Sequence, residues 1–297
     1  MYDSNMTPIE HYTELAKVIG LSDLYFKRED LHPYRSHKGR SIPYMIDYYR
    51  DRGDKYFAIS SSGNAAIAAG LHVLKLNKEN KEKVNLNIFV GKNINQEKLD
   101  NLREIADKDK DHIKILAKER PIVSLHEAIG EGYRSLRQST DKIALVGYKS
   151  LFEELKTIKN AGAIFIGTSS GTTAEALARY VLENKLPIQI HIVQTSSCHP
   201  IADNFENYDG PDEKSIADAI VSKTSERTPQ LLDLINQTGG YAWVATNEDI
   251  RIAKELTKEH IGIEISNNSA LSVVGAMQAV YRDWPIEGSV ICIICGK

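Results

Sequence analysis

Ala163-Ile164-Phe165-Ile166-Gly167-Thr168-Ser169-Ser170-Gly171-Thr172-Thr173 reads as a strand, a turn and the start of a helix. Four apolar residues run straight into glycines and hydroxyls, and the small-residue pattern from Ala174 to Tyr180 continues as a helix. A short apolar run, a glycine-bearing turn and a helix make one unit of an α/β fold. Free N–H groups at a helix start also make the turn an anion cradle. It is not a P-loop, since no Gly-Lys-Ser/Thr closes it, and its glycine spacing is not that of a dinucleotide fingerprint.

Outward from this stretch the same alternation recurs. Strands are predicted at Tyr25 to Lys27, Tyr56 to Ile59, Leu86 to Val90, Ile113 to Leu116, Ile188 to Val193 and Val290 to Ile294. Helices are predicted at Gly39 to Asp51, Asn64 to Leu76, Thr173 to Asn184 and Asn268 to Arg282. This pattern argues parallel sheets with crossover helices. The nearly unbroken apolar runs at 188–193 and 290–294 suit a sheet covered on both faces. Gly147 to Gly162 reads as a loop and a helix joining two clusters of α/β units, and 204–215 as a surface loop rich in Gly, Pro and Asp.

The composition bounds the function. A net charge of −3, with acidic residues interspersed among the lysines, implies no nucleic-acid partner. Three cysteines make no disulfide framework. Met1-Tyr2-Asp3-Ser4-Asn5 lacks the start of a signal peptide, and no apolar stretch is long enough to span a bilayer. The expectation is a cytoplasmic protein with no membrane partner and no metal.

Two further stretches carry chemistry. Lys38 follows Pro33-Tyr34-Arg35-Ser36-His37 and opens a helical pattern. Arg35, His37 and Arg40 give it a positive setting, a condition under which a lysine becomes a Schiff-base nucleophile. Taken alone, a lysine at a helix start is more often simply exposed. Ser60-Ser61-Ser62-Gly63-Asn64 ends a strand and begins a small-residue helix. Hydroxyls, backbone N–H groups and the positive end of the helix dipole suit a carboxylate there, although a plain N-cap explains any one of these residues. An amine, a carboxylate site and a phosphate cradle together describe a site for an aldehyde cofactor.

A rival reading takes Gly167-Thr168-Ser169-Ser170-Gly171 as a G-x-S-x-G elbow. Ser169 would then be the nucleophile of a hydrolase, with His191, His199 or His260 as base. That reading leaves Lys38 and Ser60 to Asn64 unexplained. Cys292-Ile293-Ile294-Cys295 offers too few ligands for structural zinc, and residues three apart in a strand face opposite ways. Cys295 stands where open α/β sheets place ligand contacts.

From Thr7-Pro8 to Cys295-Gly296 the chain resembles the fold-type II pyridoxal-phosphate enzymes, which include threonine synthase, serine and threonine dehydratases, cysteine synthase and the tryptophan synthase β-subunit. Lys38 matches the Schiff-base lysine, within Lys-x-Glu-Asp followed by Ser-x-Lys-x-Arg. Ser61-Ser62-Gly63-Asn64 matches the asparagine loop, and Gly167, Thr168, Ser169, Ser170, Gly171 and Thr172 match the phosphate cup. Ser215 to Ile220, Gly239-Gly240, Asn247 to Ile250 and Gly262-Ile263-Glu264 look most like threonine synthases and dehydratases. Gly39, His37, the two serines of the cup and Ile265 to Ser269 depart from the common patterns.

The resemblance implies two open twisted α/β domains with the cofactor in the cleft between them. Residues 1–40 and 148–297 would form the larger domain, and 41–147 a smaller mobile one. Lys38 would hold pyridoxal 5'-phosphate and then act as base at Cα. Asn64 would face the phenolate oxygen, Ser61, Ser62 and Gly63 the substrate carboxylate, and Cys295 the pyridine nitrogen. The expected protein is a homodimeric, threonine synthase-like lyase acting on a small amino acid. Serine/threonine ammonia-lyase and cysteine synthase-like replacement are the alternatives.

Overall fold

In the computed structural model the described residues are 6–211 and 213–296. Met1–Asn5, read above for a signal, and Asp212 of the 204–215 loop lie outside them. The chain forms two compact units, Met1–His32 with Tyr148–Lys297, and Pro33–Gly147.

The elements in chain order begin with β1 (Ile9–His11), α1 (Thr13–Ile19) and β2 (Leu24–Lys27). Pro33–Gly147 then holds α2 (Lys38–Arg50), β3 (Tyr56–Ser60), α3 (Asn64–Glu79), β4 (Asn85–Gly91), α4 (Gln96–Ala106), β5 (Ile113–Lys118), α5 (Pro121–Gly130), β6 (Arg134–Ser135) and α6 (Ile143–Val146). The first unit resumes with α7 (Lys149–Leu155), β7 (Ala161–Gly167), α8 (Thr172–Glu183), β8 (Gln189–Thr195), α9 (Thr228–Gln237), β9 (Ala242–Ala245), α10 (Asn247–Ile261), α11 (Asn267–Tyr281) and β10 (Ser289–Ile293).

The smaller unit is a four-stranded parallel sheet in the order β5-β4-β3-β6. Period-two patterning divides its side chains between two faces. Phe57 and Ile59 of β3 pack with Leu86, Ile88 and Val90 of β4 against Ile42, Met45, Ile46 and Val73 of α2 and α3. Ala58 and Phe89 face the other way, onto Leu125 and Ala128 of α5.

The larger unit has a six-stranded sheet in the order β1-β2-β10-β7-β8-β9, parallel except for β1. Its core joins Phe26, Phe165, Val193, Trp243 and Cys292 of the sheet to Leu15 of α1 and to Leu271 and Val274 of α11. Thr246 and Asp249 form a capping box that starts α10, and Gly262, at φ 69°, ends it.

The predicted strands and helices appear with ends matched or shifted by at most three residues. The chain passes between units at His32/Pro33, not at residue 40. Tyr34, Ile42, Met45 and Ile46 belong to the core of the smaller unit, so Lys38 opens a helix of that unit. The elements missed in the sequence include the very short β1 and β6 and the four-residue edge strand β9.

Candidate active site

In Pro33–Gly147, Lys38 is the first residue of α2 and is half-buried. The turn that delivers it is held by hydrogen bonds between residues two and three apart. Ser36 Oγ accepts from Lys38 N at 3.3 Å, Ser36 O accepts from Gly39 N at 3.0 Å, and His37 O accepts from Arg40 N at 3.1 Å. Ser61, Ser62 and Gly63 link β3 to α3, and Asn64 is the first residue of that helix. Gly63 N donates to Ser61 Oγ at 3.3 Å, and Gly63 O accepts from Ala66 N and Ile67 N. No side chain caps α3 and no acidic residue lies in its first turn. A Cβ added at Gly63 would meet nothing within 4 Å. The first N–H groups of α3 are therefore left for an anion.

In the larger unit, β7, β10 and β2 run parallel and end along one edge of the sheet. The turn from Gly167 to Gly171 leaves β7 there and enters α8. Gly171 has φ 85°, and an added Cβ would lie 2.6 Å from Leu231 Cδ2. At Gly167 an added Cβ would lie 2.9 Å from the Asn268 carbonyl oxygen. Both positions thus require glycine, for backbone conformation at one and close approach at both.

The turn is braced from beneath. Thr168 N donates to Val193 O at 2.8 Å. Gln194, fully buried, donates through Nε2 to Thr168 O and Ser169 O at 3.3 and 3.4 Å. Its Oε1 accepts from Ile201 N and Ala202 N. Ser170 Oγ and Thr172 Oγ1 are 3.3 Å apart, and no side chain caps α8. The one acid in the first turn of α8, Glu175, is buried and paired with Arg227 at 2.6 Å and Arg179 at 2.8 Å. Its charge is thereby offset where an incoming anion would feel it.

Ser169 is not arranged as a nucleophile. Its Oγ accepts from Val221 N and Ser222 N, both at 3.3 Å. Of the three proposed bases, His191 bonds Gln189 and Trp243, His199 contacts Thr195 O and Asp203, and His260 lies near Glu14. None of these contacts reaches Ser169, so the elbow reading fails on geometry.

Cys295 follows β10 and is buried, its Sγ 3.8 Å from Asn268 O. That is the carbonyl which crowds Gly167, so one backbone group borders both Cys295 and the phosphate-type turn. Asn268 also holds the 215–220 segment: its Oδ1 accepts from Ala219 N at 3.0 Å and its Nδ2 donates to Asp218 at 3.2 Å. Asn267 Nδ2 donates to Ile216 O at 3.0 Å, and Asn247 Oδ1 accepts from Ile216 N at 2.9 Å. None of the three cysteines is in a disulfide and all are buried, and burial pushes the Cys292 thiol far up.

Taken unit by unit, the groups are of the kinds a phosphorylated aldehyde cofactor requires: a half-buried amine and an uncapped helix start in Pro33–Gly147, and in the larger unit a glycine turn that a Cβ would fill, leading into a second uncapped helix start. Sequence reasoning missed Gln194 and the three asparagines. The signal for Gln194 was an amide near the C-terminal end of a strand that reads as buried, a position where an unpaired polar group would be costly.

A sequence profile of the family described as pyridoxal-phosphate dependent enzyme matches residues 2–296. The threonine synthase of Methanocaldococcus jannaschii is 25% identical over 319 residues, covering 98% of this chain and 74% of that protein. Among solved structures, a pyridoxal 5'-phosphate-dependent aspartate racemase matches with a TM-score of 0.82 at 20% identity, over 98% of this chain and 90% of that one. Maize serine racemase matches with a TM-score of 0.83 at 18% identity, over 98% and 88%.

Proposed function

The chain belongs to the pyridoxal-phosphate dependent enzymes, and from that premise we propose a threonine synthase-like lyase that acts on an amino acid with an activated side chain. Pyridoxal phosphate, when bound, supplies the electron sink for charge left at the substrate Cα. In this reading Lys38 would be the amine that holds the aldehyde cofactor and the base that moves the proton at the substrate Cα. Asn64 donates its amide to the phenolate oxygen. Ser61, Ser62 and Gly63, at the start of α3, take the substrate carboxylate. Gly167, Thr168, Ser169, Ser170, Gly171 and Thr172 hold the phosphate through backbone N–H groups and hydroxyls.

The observation that carries the choice of elimination over transamination is Cys295. It is a thiol, buried at the end of β10 with Asn268 O beside it. A neutral group beside the ring nitrogen of a bound cofactor would leave that nitrogen unprotonated, which would favour elimination over transamination. Threonine synthase chemistry is favoured because the curated relative of that name matches nearly the whole chain. The same thiol also suits a serine/threonine ammonia-lyase, which needs only room for a leaving hydroxyl. A homodimeric assembly and a cytoplasmic location go with the reading.

The test is incubation with O-phosphohomoserine and, separately, with L-serine and L-threonine. Phosphate and threonine released from the first support the proposal. Ammonia and a 2-oxo acid from the others, or their D-enantiomers, with no turnover of O-phosphohomoserine, overturn it.

A further inference from the structure

Three side chains with no role assigned above make a chain of contacts inside Pro33–Gly147. The Tyr34 hydroxyl is 2.8 Å from His72 Nδ1, and both residues are buried. His72 Nε2 is 3.1 Å from Asp47 Oδ1, within ion-pair range but off the line of a straight hydrogen bond. With the Asp47 carboxylate facing Nε2–H, Nδ1 is left to accept the Tyr34 proton. Burial, with the charges of Asp47 and Glu79, raises the Tyr34 phenol to about 12, so it remains a donor at ordinary pH. Burial works against the Asp47 carboxylate, but His72, Arg50 and Lys75 outweigh it and hold the carboxyl below its usual value.

The placement of this chain is what matters. Asp47 lies on α2, nine residues after Lys38, and His72 lies on α3, eight residues after Asn64. The helix α2 leads into the start of β3, and α3 leaves the end of β3. The two helices therefore run in the same direction, and they pack on each other. At about 1.5 Å per residue the contact lies about 13.5 Å from Lys38 and about 12 Å from Asn64 along the two axes. A tie at nearly equal depth sets the two helix starts level with each other.

Tyr34 adds a second tie, four residues before Lys38. Between them Arg35 has φ 65°, a left-handed conformation that strains a non-glycine residue, so the turn needs an anchor. Pro43 inside α2 lacks the N–H that would bond back to Gly39 O, which weakens the first turn's hold on the rest of the helix.

We infer that Tyr34, His72 and Asp47 are positioning residues that hold the Lys38 amine and the Asn64 amide in register with each other. The inference rests on the reading of Lys38 as the cofactor-bearing amine. The experiment compares the unaltered holoenzyme with Y34F, H72Q, D47N and Y34F/H72Q. One readout is hydrogen exchange at the amides of Gly39, Arg40, Ala66 and Ile67, each bonded just inside a helix start. The other is kcat and KM on whichever substrate the unaltered enzyme turns over.

In Y34F, exchange at these amides should quicken about tenfold, with β3 and β4 unchanged, and kcat should fall about tenfold at constant KM. The double variant should be no worse than H72Q, because the ties act as one chain. D47N changes a half-exposed side chain, so it reports even where H72Q folds poorly. Unchanged exchange and kcat in Y34F, a loss confined to KM, or effects that multiply in the double variant overturn the inference. Borohydride labelling of another lysine defeats the Lys38 reading by itself. The exchange data then still decide whether these side chains hold the two helix starts.

Discussion

Replacing Gly171 by alanine strikes the turn from Gly167 to Thr172 at its tightest point. Two costs add. The residue has φ 85°, and a left-handed backbone costs an L side chain about 1–2 kcal/mol. The new Cβ would also lie 2.6 Å from Leu231 Cδ2, a fully buried side chain, and overpacking of that kind costs about 1–3 kcal/mol. Together they remove about 2–5 kcal/mol and, in a protein of this size, lower Tm by about 4–20 °C. Because strain in the turn displaces its N–H groups, affinity for pyridoxal phosphate should fall at least about tenfold. Thermal unfolding with and without cofactor, and titration of the cofactor-free protein by visible absorbance, measure both. Gly63→Ala is the control: φ is −117° and nothing lies within 4 Å of the new methyl, so Tm should hold. A Gly171→Ala protein with unaltered Tm and cofactor affinity would refute both the strain argument and the assignment of the turn.

Arg227→Met leaves the buried Glu175 carboxylate with only the half-exposed Arg179, and should cost about 3–5 kcal/mol in urea unfolding. Ser169→Ala removes the acceptor of Val221 N and Ser222 N; it should weaken cofactor binding by about 1 kcal/mol and change no ester hydrolysis above background. Burial depresses the His191 imidazole to about 3, below the ordinary 6.5, so the unfolded chain takes up a proton that the native one refuses. The stability tied to this group is full above about pH 6.5 and falls by about 1.4 kcal/mol per pH unit below it, towards pH 3. Urea unfolding from about pH 7 to about pH 5 should show that slope, and His191→Gln should reduce it.

Much of the fold was legible because several of its strands are buried on both faces. The run 290–294 reads as a strand without any alternation to help, as β10 shows, and in β8 His191 is as buried as the isoleucines on either side of it. The edge strand β9 escaped because Ala242–Ala245 is short and follows two glycines that read as a turn. The turn from Gly167 to Thr172 was legible since both glycines answer to backbone demands local to it. The Tyr34, His72 and Asp47 chain was not, because three residues scattered over two helices and a turn carry no spacing. The same holds for Asn247, Asn267 and Asn268: each is an ordinary helix-start residue until the segment it clamps is placed beside it. Ser169 shows the opposite hazard, a motif match whose hydroxyl the fold uses to hold a neighbouring loop.

The central claim is that Lys38 is the amine to which pyridoxal phosphate attaches. Borohydride reduction of the holoenzyme, followed by peptide mapping, tests it most directly. The account predicts a pyridoxyl group on the peptide containing Lys38, and none in Lys38→Ala. A label on another lysine, or a protein that takes up no cofactor at all, would contradict it.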